Sequence, residues 1–336
     1  MKCKIYKIKI QNLLAMAIAM LLVSFAQQAS GQKEKVTFPT KPITLIVLTS
    51  PGGGWDTVCR LAGEFWKQYL PNKVPVVIKN ISGGEQLIGP TTMYNSPPDG
   101  YTVGTVSSGA VGPVIAGITK FDIKKFEWIG ILSDDYYITA ASLKSGFKDL
   151  NDLKNSKRQI LIATPGFATA DAQGALLMKE KMGLNLKMVP HEGSTPGILA
   201  AIRGDVDLVS APITSMRKAV IDAKDLAPLW TSAPKRLKKL SDLPMLKELG
   251  YPEVAKMFVL NRFLGAPPGT SPDRMEILRS TFKSVLENPK YQSKVQEEWD
   301  AEIDFATGQE IARMIEDKIN LLQPHEKLIK EGWGKK

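Results

Sequence analysis

The sequence is poor in the residues on which most covalent and metal chemistry depends. Its 336 residues contain two cysteines, Cys3 and Cys59, and two histidines, His191 and His325, which lie far apart. One cysteine and two separated histidines make no recognisable zinc pattern, so neither a metal nor any other cofactor is expected. Cys3 falls in an N-terminal segment expected to be removed, which leaves no partner for an intrachain disulfide. The remaining chain of about 305 residues must then be held by hydrophobic burial, most easily as two cores of about 150 residues each. Cys59, between Val58 and Arg60 in a helical pattern, is expected as a small buried apolar side chain.

Phosphate-binding and nucleophile motifs are absent as well. Gly52-Gly53-Gly54 lacks the Gly-x-Gly-x-x-Gly spacing, and no Gly-x-x-x-x-Gly-Lys-Ser/Thr occurs, so neither pyrophosphate cradle is present. Gly104 to Gly109 misses the nucleophile-elbow spacing, and His191 is the one histidine near any candidate loop. An exported α/β enzyme is therefore the disfavoured rival. The basic runs at 33–35 and 235–239 contain no aromatic residues, which argues against nucleic-acid binding.

Long hydrophobic runs are missing too. The longest, Leu13 to Phe25, is thirteen residues, short of the roughly 20 needed to cross a bilayer. It follows the basic residues Lys2, Lys4, Lys7 and Lys9 and precedes small residues at 24–26 and 29–31. That pattern predicts a signal peptide over 1–31, cleaved after about residue 26 or 31, and hence a periplasmic protein. No cysteine follows the run to support lipoprotein processing. Cleavage removes four lysines and no acid, so the formal charge falls from +10 to +6. Such a charge suits an anionic ligand and equally suits an ordinary soluble surface.

What the chain does have is a regular alternation. Ile43 to Leu48, Val74 to Ile78, Thr102 to Val106, Trp128 to Leu132, Gln159 to Ala163, Lys187 to Val189 and Asp207 to Ser210 read as strands. Thr57 to Tyr69, Ala170 to Met182 and Thr195 to Arg203 carry apolar residues at three- and four-residue spacing and read as helices. Strand alternating with helix predicts an α/β protein with mainly parallel sheets, whose ligand sites lie at the carboxyl ends of strands. Four unusual loops fall at such ends: 50–56, 107–109, 164–169 and 191–197. Glycine there permits close backbone approach, and Ser, Thr and Asp can cap the following helix. Converging helix N-termini make an anion site without needing an arginine. Any one such loop is ordinary turn chemistry; four in one chain point to a ligand cleft.

Ordered motifs resemble those of the substrate-binding receptors of tripartite tricarboxylate transporters, the Bug receptors. Lys41-Pro42-Ile43 precedes Pro51-Gly52-Gly53-Gly54-Trp55-Asp56 and Arg60, and Asn80, Gly83-Gly84, Ile88-Gly89 and Pro98 to Thr102 follow in order. Val189 to Pro196, Arg203 to Asp207, Glu248 to Pro252 and Ala266 to Pro272 continue the likeness over nearly the whole mature chain. The resemblance implies a type II periplasmic-binding-protein fold, two α/β lobes with a ligand cleft between them. On family topology, 36–138 and 226–336 form one lobe and 139–225 the other. It also implies a receptor, not an enzyme, that captures a small carboxylate for a membrane transporter, with a signalling receptor as the alternative; a monomer is expected.

By that analogy Gly52, Gly53, Gly54, Trp55 and Asp56 form one wall of the cleft and Gly166, Phe167, Ala168 and Thr169 the other. Ser107, Ser108, Gly193, Ser194 and Thr195 supply polar edges. Asp56 is expected to cap its helix through Thr57 and Val58 more than to touch ligand. Trp55 stands where a small residue is common and His191 where the family has tyrosine, so both bear on ligand choice.

Overall fold

The computed structural model describes residues 38–52, 54–164, 169–191, 193–299 and 306–333; the expected signal segment lies outside the described residues. The strands are β1 (Ile43–Val47), β2 (Val76–Asn80), β3 (Thr102–Ser107), β4 (Glu127–Ser142), β5 (Ile160–Thr164), β6 (Leu186–Pro190), β7 (Leu208–Pro212), β8 (Leu226–Thr231) and β9 (Val259–Ala266). In chain order the first helices are α1 (Gly54–Tyr69), α2 (Ile88–Tyr94), α3 (Val111–Ala116), α4 (Leu150–Lys154), α5 (Ala170–Lys181), α6 (Ser194–Arg203) and α7 (Ile213–Arg217). Beyond them, α8 (Pro252–Met257) and α9 (Pro272–Leu286) pack on α5 and α1 respectively.

One strand organises everything else. The first part of β4, up to Tyr136, pairs with β9, while Tyr137 to Ser142 pairs with β7 on one side and β8 on the other. A sheet ordered β2-β1-β3-β9-β4 therefore meets a second, β4-β7-β5-β6, along one 16-residue strand. The 226–231 segment lies in the second sheet, through β8 and β4. The mainly parallel expectation is corrected here. β1 pairs parallel with β2 and β3, and β5 with β6 and β7, but every pairing made by β4 or β9 is antiparallel. Strands that link two sheets run against the local direction of each.

The inner strand β1 is buried along most of its length, as its apolar run requires: Ile43, Leu45 and Val47 have no exposed surface and Ile46 on the other face is 3% exposed, whereas the edge strands β2 and β6 keep exposed residues. On α1, Trp55, Val58, Cys59, Leu61, Ala62, Phe65 and Trp66 are buried, while Thr57, Arg60, Glu64 and Lys67 face out. Trp66 meets Phe282 of α9 edge-on at 5.1 Å and donates its indole N–H to Thr281 Oγ1 at 2.9 Å. Truncating an aromatic so placed costs about 3–5 kcal/mol. Burial pushes the Cys59 thiol far up, so it behaves as an inert apolar group. The cores do not divide one per sheet. The larger runs through both sheets, and a smaller one lies among β4, β7 and α6, around Ile138, Val209 and Ile198.

Candidate functional site

The carboxyl ends of β1, β3, β5, β6 and β7 open on one cavity of about 360 Å³ where the two sheets meet. Thr49, Ser50 and Pro51 after β1, Ser107 at the end of β3, and Gln86 line one side. Thr169 and Asp171 after β5, Gly193 to Thr195 after β6, and Pro212, Thr214 and Ser215 after β7 line the other. Tyr137 of β4 and Leu260 and Arg262 of β9 form the floor. The volume sits at the small end of ligand pockets, about 300–1,000 Å³.

Three helices of ten or more residues, α1, α5 and α6, begin with residues that line this cavity. Each brings free N–H groups and a partial positive charge to its first turn, which favours an anion. Local sequence sets these ends. Thr169 caps α5 by accepting from Ala172 N, and Gly193 leads into α6 with φ +111°, a conformation that favours glycine. Ser107 Oγ accepts from Gly109 N at 3.1 Å and so closes the turn after β3.

Of the residues expected from sequence, Gly54, Trp55, Ser107, Thr169, Gly193, Ser194 and Thr195 line the cavity together. Gly53, Gly166, Phe167 and Ala168 lie outside the described residues. Gly52, Asp56, Ser108 and His191 stand elsewhere. Ser108 Oγ donates to Val259 O and accepts from Asn261 N, which fastens the loop after β3 to β9. His191 Nδ1 is 2.8 Å from Val189 O.

Asp56 sits inside α1, buried, and holds its own loop rather than Thr57 and Val58. Its Oδ2 accepts from Gly52 N and Arg60 Nε, each at 2.9 Å, and its Oδ1 accepts from Asn80 Nδ2 at 2.9 Å. The Arg60 hydrogen bond, helped by those of Gly52 and Asn80, lowers the carboxyl to about 2 from 3.8, against the effect of burial. The stabilisation this implies is complete above about pH 4 and is lost as pH falls towards 2. Arg60 is half exposed, so solvent screening holds the effect to about 1–2 kcal/mol. Asp56→Asn is therefore expected to lose about that much at pH 7, and urea unfolding should show the gap from the parent closing on acidification.

Arg262 and its partners were not foreseen. The guanidinium is 5% exposed, with Nη2 3.2 Å from Asp135 Oδ2 and Nη1 donating to Ser133 Oγ at 2.9 Å. Its Cζ lies 5.3 Å from the centre of the Trp55 ring, a cation–π contact that makes Trp55 the cover of this charge. Thr214 of α7 donates to Asp135 at 2.5 Å, so one ion pair joins β4, β9 and α7. Burial raises the Asp135 carboxyl, and the Arg262 charge opposes that. Beside it, the Tyr137 hydroxyl donates to Asp171 Oδ2 at 3.2 Å, and burial pushes Asp171 up to about 7. Asp171 Oδ1, Arg262 Nε and Thr49 Oγ1 are buried without hydrogen-bond partners. Such atoms cost stability until something meets them.

Among the described residues no group of three or more His, Cys, Asp or Glu side chains could hold a metal ion. The family of receptors of tripartite tricarboxylate transporters matches residues 60–331. The chain belongs to that family. It is 26% identical over 317 residues to a UPF0065 protein of Bordetella pertussis, covering 91% of this chain and 93% of that one. A solved periplasmic transporter structure superposes with a TM-score of 0.76 at 25% identity, over 87% of this chain and 98% of the other. MatC of Rhodopseudomonas palustris, solved with bound malate, superposes at 0.72 with 21% identity, over 86% and 100% of the two chains. The fold is thus that of periplasmic binding proteins of this receptor family.

Proposed function

We propose that this receptor is exported, binds a small carboxylate in the cavity between its two sheets, and presents it to a membrane transporter. The observation that carries the reading is the convergence of three helix N-termini on one cavity in a member of this family. Export rests on the basic, apolar and small-residue succession over 1–31. Among the described residues no helix is long and apolar enough to cross a membrane. We place the lobes at the β4 crossing, with residues 137–231 as one and the flanking segments as the other, because β8 pairs in the second sheet. That moves the expected boundary at 225 beyond β8. The receptor acts as a monomer, and binding without turnover is its output.

Calorimetry of the mature protein against mono-, di- and tricarboxylates of two to eight carbons is the test. Saturable one-to-one binding of at least one of them, with no product formed, is expected. Failure of all of them to bind would overturn the reading.

A further inference from the structure

We propose that Asp171 makes this site selective for carboxylates that also carry an ammonium group, the carboxylate lying at the helix ends and the ammonium at Asp171. The proposal rests on the carboxylate reading above and adds what the rest of the ligand must be. Asp171 lines the cavity and is 5% exposed, with Oδ2 accepting from Tyr137 and Oδ1 lacking any donor. A buried carboxylate oxygen without a donor is costly, and a ligand that supplies one recovers that cost.

Charge decides which donor. Tyr137, Asp171 and Arg262 are the titratable side chains among the described residues lining the cavity. The Arg262 charge is already matched by Asp135, and both are buried. With Asp171 ionised, these three side chains together with Asp135 sum to one negative charge. A plain dicarboxylate would add two more in a poorly solvated space, whereas an amino-carboxylate sets a positive group against Asp171. A hydroxyl would meet Oδ1 but leave the charge unbalanced.

Asp171 itself titrates near neutral pH, because burial raises it to about 7. Against burial, hydrogen bonds from the residue's own N–H, the Tyr137 hydroxyl and the Thr169 hydroxyl lower the Asp171 carboxyl, while the charge of Asp135 on β4 raises it. On the elements packed against α5, Glu253 and Lys256 of α8 and Lys187 of β6 are exposed side chains. Because burial holds Asp171 near 7, an ammonium ligand that needs it ionised must displace its proton at pH 6. Affinity should then rise about tenfold from pH 6 to pH 8 and release close to one proton at the lower pH. A ligand that favours protonated Asp171 has the opposite slope.

The test is calorimetry on the full mature protein with matched pairs, succinate against aspartate and glutarate against glutamate, at pH 6 and 8. Two buffers of different ionisation enthalpy report the proton. The amino member of at least one pair is expected to bind tenfold or more tightly than its plain partner at pH 8, with the rising slope. Asp171→Asn is expected to bring the two members within about threefold and to flatten the slope. Equal or tighter binding of the plain member at pH 8, or a falling slope for the amino member, overturns the proposal and leaves the carboxylate reading standing. Binding of neither member of either pair overturns the proposal too, and the wider carboxylate panel then decides the carboxylate reading on its own. Should Asp171→Asn not fold, the slope and proton count of the unaltered protein decide alone.

Discussion

Replacing Arg262 by methionine is expected to destabilise the protein by about 3–5 kcal/mol at pH 8, the usual consequence of leaving one member of a buried ion pair alone. Asp135 is 2% exposed and would keep only Thr214 as a donor among the partners named above. Arg262 opposes the upward effect of burial on that carboxyl, so its removal raises Asp135 further. A carboxyl raised in the folded state stabilises that state at low pH and loses the contribution as pH climbs through its folded value. The loss should accordingly be smaller at pH 5 than at pH 8. Methionine replaces the aliphatic stem but not the guanidinium, so the space left beyond its terminal methyl adds to the loss. Changing both partners, Arg262→Met with Asp135→Leu, should recover much of the stability, because two apolar groups leave no buried charge. Urea unfolding of parent, single and double variants at both pH values measures this. A single variant within about 1 kcal/mol of the parent at pH 8 would mean the pair is not formed. The same change removes the charge that Trp55 covers and should free the indole, visible as altered tryptophan fluorescence.

That ion pair also explains what the sequence hid. The strands of the parallel parts were legible because mostly apolar runs such as Ile43 to Leu48 and Gln159 to Ala163 match β1 and β5 closely. The long strand β4 was legible only in part, as Trp128 to Leu132, since Ser133-Asp134-Asp135 looks like its end. β9 was missed, since Asn261-Arg262 reads as polar surface. The two polar stretches answer each other: Ser133 stands opposite Arg262 and Asp134 opposite Asn261, with Asn261 Nδ2 donating to Asp134 Oδ1 at 2.8 Å. A pairing between residues about 127 positions apart leaves no local period to read. The site divides the same way. Loop ends after β1, β3, β5 and β6 were visible through their glycines and caps, whereas Tyr137, Asp171 and Arg262 sit within elements and carry no local signal.

Gly174→Val should unfold the protein or cost about 3 kcal/mol or more, although Gly174 lies in the middle of a helix where a side chain is ordinarily welcome. In α5 a bare helix-propensity argument predicts a gain of up to about 1 kcal/mol for alanine at this position. Packing reverses the sign. A Cβ at Gly174 would lie 2.4 Å from Cε1 and Cζ of Phe258 and 2.6 Å from Cε2, closer than real contacts come. The ring has no surface exposed and cannot retreat freely, because Tyr137 stands behind it with ring centres 5.4 Å apart. Its backbone is held too, since Phe258 O accepts from Ser232 Oγ at 2.5 Å. The helix must therefore move, and it carries Asp171 one turn earlier, so any variant that survives should also bind ligand less tightly. Alanine at 174 is expected to destabilise less than valine yet still fall below the parent. Adding Phe258→Leu, which removes the ring atoms in conflict, should restore part of the loss to Gly174→Ala even though it costs stability by itself. That sign, a second destabilising change improving the first, is what unfolding midpoints of the two single variants and the double variant would read. Simple additivity, or a Gly174→Ala protein more stable than the parent, would show that α5 and Phe258 do not meet in this way.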